Sequence, residues 1–382
     1  MRIAQVTYST KPRGGVVHTL ALAEALARRG HDVTVWTLGR GGDRAFFRDV
    51  DPAVAVRVVP FAPRDDETVG DRIQRSIATM RDAFAAARAD EPYDVVHAQD
   101  CISANAVAPC IRTIHHLDAF TTPELIACHD AAIRDPIARI CVSAAVAADV
   151  AAGWGLHPTV IPNGVDAARF RAASEEPGAD ARAGWRRSLG RYVLALGGIE
   201  PRKGSLDLLE AFALLRRREP DVRLVFGGGE TLFDYRDYRA AFDARVVELG
   251  LEPVVLGVVD DDLLPALVAA AGALAFVSTK EGFGLAAMEA LAAGVPVVAR
   301  DLPVLHEVFG TTVAYASDVA SIADALATGL AGQGPDPDAG RALADGHDWD
   351  DVARAHEAFY RAVGEDGDRG QAVDLADHHL TR

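Results

Sequence analysis

The 382-residue sequence predicts an α/β protein of two doubly wound domains facing each other across a cleft. Three observations predict it. Short apolar runs alternate with longer amphipathic stretches along the whole chain, as strands and helices do in turn. The short runs are apolar at consecutive positions, as strands buried on both faces of a parallel sheet must be. The alternation pauses once, over residues 163–190, and then restarts, in a chain longer than one core usually serves.

Taken in order, residues 2–8 read as the first strand. Gly14-Gly15 opens an amphipathic helix through Leu20, Leu22, Ala25 and Leu26, which Gly30 closes. Strands follow at 33–36, 54–59, 95–98, 111–115 and 139–142, and the run at 159–162 completes a first domain of residues 1–165. Residues 163–190 are rich in Ala, Arg, Glu and Gly, as a linker and lead-in helix would be. The second domain, 166–345, contains strands at 192–196, 222–226, 254–259, 273–277 and 295–299, with a helix over 203–218. A helix over 349–363 is expected to pack back and complete the first domain. Residues 364–382 are charged and lack apolar periodicity, so they are expected to fray.

Composition narrows the function. Apolar residues make up 49% of the chain, ample for folded cores. A formal net charge of −16 speaks against sequence-independent nucleic-acid binding. The N-terminal apolar stretch is too short for a signal peptide, and no run is long enough to cross a bilayer. Cys101, Cys110, Cys128 and Cys141 show no CxxC spacing and read as buried free thiols. Together these features suggest a cytoplasmic protein.

In sheets of this kind ligands bind beyond the carboxyl ends of the strands. The most informative segment there is Ser278-Thr279-Lys280-Glu281-Gly282-Phe283-Gly284-Leu285-Ala286-Ala287-Met288-Glu289, which leaves one strand and enters a helix. A glycine-rich loop at a helix N-terminus offers free backbone N–H groups and the positive end of the helix dipole, a setting for a diphosphate without a metal. Glu289 falls about two turns after Glu281, so both carboxylates can address one side of the cleft. The plainer alternative is that Glu281 favours the first turn electrostatically and Glu289 is solvated. Basic residues are almost all arginine: Lys11, Lys203 and Lys280 are the only lysines, and each falls in a loop expected to rim the cleft. A compact ammonium suits phosphate as a point charge, although chance placement would give the same picture.

The Glu281–Glu289 segment resembles the E-x7-E motif of the retaining family-4 glycosyltransferases, which have the GT-B fold of two Rossmann-like domains. Gly14-Gly15 resembles that family's N-terminal glycine loop, and Ile161-Pro162-Asn163-Gly164-Val165-Asp166 its IPNGVD signature. Pro201-Arg202-Lys203-Gly204 resembles its phosphate-binding turn, and Gly294-Val295-Pro296-Val297-Val298 its GVPVV strand. The likeness spans all but the tail. It implies a hexosyltransferase that moves a sugar, with retention, from a UDP- or GDP-linked donor to a small-molecule, lipid or glycan acceptor. The donor would lie mainly in the second domain and the acceptor in the first, with acceptor identity set by loops 39–49 and 64–70. No metal or other cofactor and no nucleic-acid partner is implied, while members with lipid acceptors touch membrane surfaces peripherally.

The resemblance also implies roles. Glu281 would contact hydroxyls of the donor sugar and Glu289 the ribose. Gly282, Phe283, Gly284 and Leu285 would hold the phosphates through their backbone, with Gly14, Gly15 and Arg202 also on the donor. Lys203 would neutralise the leaving diphosphate. His115, in preference to His116, would stand beside the reacting sugar. One departure is plain: the family's arginine two positions into the loop after the first strand of its donor domain is Gly198 here, so Arg202 or Lys280 would have to substitute. Two rivals stay open, a nucleotide-sugar epimerase on the same fold and a catalytically weak nucleotide-sugar-binding subunit.

Other signals are weaker. Asp260-Asp261-Asp262 mimics a metal-binding DxD, but helix-capping carboxylates are the simpler reading. The loop Lys11–Gly15 lacks GxGxxG, which disfavours a nicotinamide dehydrogenase. His378-His379 has too few partners for a zinc site. The amphipathic run from Arg72 to Phe84 suits either a core-facing helix or a membrane surface.

Overall fold

The structure, a computed structural model, describes residues 1–64, 66–118, 120, 122–229 and 235–368. His378 and His379 lie outside these residues. The chain forms two compact units, Met1–Gly164 with the C-terminal segment from Trp349, and Val165–Asp348.

The sheet of the first unit contains β1 (Arg2–Val6), β2 (Asp32–Arg40), β3 (Val54–Phe61), β4 (Val95–Ala98), β5 (Ile111–Ile114), β6 (Ala138–Cys141) and β7 (Thr159–Val160). All pairings are parallel, in the order β3-β2-β1-β4-β5-β6-β7. The chain builds outward from β1 in one direction, then returns to place β4 on the other side of β1. Two loops therefore diverge at the carboxyl ends of β1 and β4, and this switch point is where such a sheet opens a crevice. One face is covered by helices Gly14–Arg28 and Trp349–Asp368, whose Leu20, Leu22, Leu26, Trp349, Val352 and Tyr360 share a core. The other face buries Met80 and Phe84 of helix Val69–Arg88 against Trp36, so the amphipathic run faces a core. The C-terminal helix continues through Asp368, and residues 364–368, expected to fray, are helical. Apolar periodicity stops at Val363, but extending an existing helix fixes one residue per hydrogen bond and needs no new nucleus.

The sheet of the second unit contains β8 (Arg191–Leu196), β9 (Val222–Gly227), β10 (Val254–Val255), β11 (Ala273–Phe276), β12 (Val297–Arg300) and β13 (Ala314–Ala316). Its parallel order is β10-β9-β8-β11-β12-β13, with the switch point between β8 and β11. Helices Ser205–Leu215 and Val319–Leu330 pack Leu208, Phe212, Ile322 and Leu326 onto it. Three sequence expectations need correction. The apolar run 254–259 keeps only two strand residues, because it lies at the sheet edge and turns away at Gly257, whose φ is +70°. The edge strand β13 has no counterpart in the reading, since three residues carry no period. The stretch 163–190 holds the expected lead-in helix, Ala179–Leu189, but where a linker was expected it folds into a further helix, Ala167–Ser174, with Phe170 buried. Among the described residues, no helix is long and apolar enough to cross a membrane.

Candidate functional site

In the second unit the loops leaving β8 and β11 meet at the switch point. The Pro201–Lys203 turn ends on Gly204, whose φ is +65° and where a Cβ would lie 2.4 Å from the Val277 carbonyl oxygen. Glycine is needed there twice over, for its dihedral and for the space. The turn is tied to the neighbouring loop by Thr279 N–H donating to the Arg202 carbonyl at 2.7 Å. This brings two cations onto one acid: Lys203 Nζ donates to Glu281 Oε1 at 2.7 Å and Arg202 Nη1 to the same oxygen at 3.2 Å. Burial pushes the Glu281 carboxyl up, but the Lys203 and Arg202 charges outweigh it and hold the pKa down at about 2. An ammonium has three protons, so Lys203 retains donors for a second anion.

Gly284, at φ +108°, turns the same loop into helix Leu285–Ala292. Gly282 and Phe283 are buried, Phe283 edge-on to His347 at 5.6 Å between ring centroids. Leu285 and Ala286 open the helix, so their N–H groups have no intrahelical acceptor and point out of its positive end. A cavity of about 20 Å³, roughly one water, lies behind the turn and is lined by Gly197, Gly198, Lys203, Phe226, Val277 and Ser278. Lys280 is exposed, and its carbonyl accepts from Arg202.

Glu289 is separated from Glu281 by the bend at Gly284. It sits half-buried in the helix, and its carboxylate makes no hydrogen bond or ion pair among the described residues. Burial raises its pKa to about 8, with Asp261 and Asp166 adding to the rise and Arg169 opposing it. Arg169 is itself bound to Asp261 at 2.7 Å. That pair corrects the capping reading of Asp260–Asp262: Asp260 occupies the cap position but accepts no side-chain cap bond. Arg169 and Asp261 shape the surroundings of Glu289, and nothing in their local pattern marked them. Among the described residues, no cluster of three or more His, Cys, Asp and Glu side chains is arranged to hold a metal ion.

In the first unit Gly15 opens helix Gly14–Arg28 with its α-carbon against His115, where a Cβ would meet Cδ2 at 3.4 Å. His115 follows β5 and bonds through Nε2 to Gln99 Oε1 at 3.1 Å. Gln99 is oriented in turn, its Nε2 donating to Gln5 Oε1 at 2.8 Å. Gln5 Nε2 donates to the Tyr360 hydroxyl at 3.0 Å, and that hydroxyl lies 2.7 Å from His97 Nδ1. His97 Nε2 lies 2.7 Å from Thr113 Oγ1. Since Gln99 Oε1 can only accept, the His115 proton sits on Nε2, and Nδ1 is left as the acceptor. His18, His97 and His356 crowd the same region, with the His18 and His115 ring centroids 4.8 Å apart. Burial, followed by the neighbouring histidines and Arg112, holds His115 well below the usual imidazole range. The ring is therefore neutral at pH 7.

The remaining candidates lie outside these two groups. Lys11 is exposed and pairs with Asp43 at 2.9 Å, and His116 pairs with Asp118 at 3.0 Å. A residue absent from the candidate set is Asn163, whose Oδ1 accepts from His18 at 2.8 Å. It was visible inside the IPNGVD block, but its partner 145 positions away was not.

Two family models match the chain, Glycosyltransferase Family 4 over residues 12–169 and Glycosyl transferases group 1 over residues 185–338. Glycogen synthase of Mycobacterium tuberculosis is 30% identical, over 95% of this chain and 95% of its own. The chain belongs to the family-4 glycosyltransferases. A D-inositol 3-phosphate glycosyltransferase of Saccharomonospora viridis is 31% identical over 83% of this chain and 81% of its own. This glycosyltransferase also superimposes on solved GT-B structures. Sucrose-phosphate synthase from Thermosynechococcus elongatus matches at TM-score 0.77 and 22% identity, covering 95% of this chain and 98% of that one. Anabaena HepE, solved in complex with UDP and glucose, matches at TM-score 0.73 and 21% identity, covering 95% of this chain and 100% of that one. The enzyme is thus a hexosyltransferase with two Rossmann-like units.

Proposed function

We propose that this glycosyltransferase takes its sugar from a nucleotide-diphosphate donor, UDP- or GDP-linked, held by the second unit, and transfers it with retention of anomeric configuration without a metal ion. The observation that carries this reading is the meeting of Lys203 and Arg202 with the 281–286 loop at the switch point of the donor sheet. A diphosphate there would find an ammonium, a guanidinium and the unbonded N–H groups of Leu285 and Ala286. The UDP complex of HepE supports the nucleotide class. Membership of the family supports retention.

In the proposed reaction the bond between the anomeric carbon and the diphosphate oxygen breaks, and the electron pair leaves with the diphosphate. Lys203 and Arg202 stabilise that growing charge more than they stabilise the intact donor, which is what lowers the barrier. Arg202 takes the part of the cation missing at Gly198. Glu281 fixes both cations and keeps a second oxygen for donor-sugar hydroxyls. Glu289, protonated near neutrality, donates to or accepts from the ribose. The acceptor hydroxyl forms the new glycosidic bond and passes its proton to the departing diphosphate. His115, held neutral as the Nε2–H tautomer, presents Nδ1 as an acceptor to the reacting sugar.

The test is thermal melting of the purified protein with UDP, GDP, ADP and their sugar conjugates, in EDTA. A ligand that binds the native state raises the melting temperature by mass action. One nucleoside diphosphate should stand out, and Lys203→Ala should abolish its shift. No shift with any nucleotide at millimolar concentration would overturn the donor assignment. Release of free nucleoside diphosphate during turnover separates transfer from epimerisation.

A further inference from the structure

The carboxyl edge of the first sheet carries a cationic group that the reaction above does not use. Arg40 ends β2, between Tyr8, which follows β1, and Phe61, which ends β3. Its guanidinium carbon lies 5.5 Å from the centre of the Tyr8 ring and 5.9 Å from that of Phe61. Arg75 stacks on Phe61 as well, at 3.8 Å, but is neutralised by a two-pronged pair with Glu67 at 2.5 and 2.8 Å. The Arg40 guanidinium has no such partner: among the described residues it donates to no acceptor and meets no carboxylate. Burial pulls its pKa down to about 10, with the like charges of Arg72 and Arg13 adding to the fall and Tyr8 and Asp100 opposing it. The acid at hand, Asp100, is occupied. Its oxygens accept from Tyr8 N–H at 2.9 Å, Ser103 N–H at 2.8 Å and the Ser103 hydroxyl at 2.8 Å.

A half-buried guanidinium held among like charges, in a chain of net charge −16, is costly unless an anion completes it. Aromatic faces fix its plane while leaving its N–H edge open, which suits a two-pronged approach by oxygens. The group stands at the carboxyl ends of β1, β2 and β3, beside the β1/β4 switch point, on the sheet edge that also carries His115 after β5. We propose that the ligand of the first unit, the sugar acceptor on the reading given above, carries a phosphate group that Arg40 receives together with Arg13 and Arg72. The phosphate can belong to a soluble sugar or polyol phosphate or to a phospholipid headgroup, and the same cations serve both.

The test keeps the donor site filled. The full-length protein, saturated with UDP, is titrated calorimetrically with inorganic phosphate and with glucose 6-phosphate. It is also sedimented with phosphatidylglycerol vesicles and with phosphatidylcholine vesicles. Arg40→Gln should weaken phosphate binding by about 10- to 100-fold, the scale of a charge-assisted hydrogen-bonded pair, with UDP affinity unchanged. Arg40→Lys keeps the charge but not the fork and should fall between the two. A melting temperature near wild type for either variant confirms that folding is intact. Arg40-dependent capture by phosphatidylglycerol vesicles assigns the lipid source, and Arg40-dependent binding of glucose 6-phosphate without vesicle capture assigns the soluble one. Equal phosphate affinity in wild type and both variants, or no binding of either phosphate probe or vesicle by wild type, overturns the proposal. Failure of UDP to bind while phosphate binding still depends on Arg40 would sink the donor reading and leave this anion site standing.

Discussion

The two units place their candidate groups at equivalent points, the carboxyl ends of strands flanking a switch point, yet the physics of the two groups is opposite. In the second unit the Lys203 and Arg202 cations converge on Glu281 and, against burial, hold its carboxyl ionised with a pKa down at about 2. In the first unit burial pushes the pKa values of His18, His97, His115 and His356 down. His18 is hydrogen-bonded to Asn163, His97 to Tyr360 and His115 to Gln99, with Gln5 linking Gln99 to Tyr360, and His356 bonds to the Val352 carbonyl. One group is suited to meet a charge that develops during reaction. The other is suited to keep a ring in one tautomer and orientation. The comparison teaches that topology sets where a site can form, while the side chains decide whether it works by charge or by hydrogen-bond order.

The largest effect should come from breaking the charged group. Lys203→Ala is expected to lower turnover by about 10²- to 10³-fold, the usual scale for removing one donor from a developing oxyanion. Nucleoside-diphosphate release over time measures it, and turnover within a few-fold of wild type would remove Lys203 from the reaction. Gly204→Ala should follow, because it puts a side chain at φ +65° with its Cβ 2.4 Å from the Val277 oxygen. A loss of about 1–3 kcal/mol in stability or more is expected, read from urea unfolding. An unchanged midpoint would mean that the turn relaxes freely.

Tyr360→Phe tests the neutral group. It removes the hydroxyl shared by Gln5 and His97 and should destabilise by about 1–3 kcal/mol through buried partners left unmatched. The reading of the tautomer adds a second expectation, a fall in kcat with KM for the donor little changed. If KM alone moves, the network does not act through His115.

The smallest effects are in pH dependence, and they have opposite signs in the two units. His18 and His356 have folded pKa values of about 3 and about 4, below the ordinary 6.5. The unfolded chain then binds more protons in that window, so this stability is complete above pH 6.5 and lost as pH falls toward 4. Glu289 is the reverse: its folded pKa of about 8 lies above the ordinary 4.5, so its contribution is complete below 4.5 and lost as pH rises through 8. Melting temperatures across pH 4–9 should show His356→Phe flattening the acid limb and Glu289→Gln flattening the alkaline one. Parallel curves for wild type and Glu289→Gln would mean that Glu289 is ionised at neutral pH.

The motifs made part of the candidate site legible. The loop at 281–286 and the turn at 201–204 stand out as runs of glycine, lysine and acid within a few positions, because a backbone that must approach a phosphate needs those residues locally. Gln5, Gln99 and Tyr360 had no such signal, and Asn163 lay inside the IPNGVD block without any local sign of its partner His18. Gln5 and Tyr360 are 355 positions apart and meet because helix Trp349–Asp368 packs on the sheet that begins the chain. Arg169 and Asp261 meet in the same way beside Glu289. Arg40 looked like one arginine among many, and only the absence of a partner sets it apart from Arg75.

The sequence by itself determined the fold class, the alternation of strands and helices and the family. Each of these rests on local periodicity or on short contiguous motifs, and both survive being read one residue after another. Tertiary structure alone decided which side chains share an environment: that Lys203 and Arg202 converge on Glu281, that four histidines are buried together, and that Asp261 serves Arg169 rather than a helix cap. The physical reason is that burial and electrostatic coupling act through distance in space. The folded chain sets those distances by packing elements that lie far apart in the sequence.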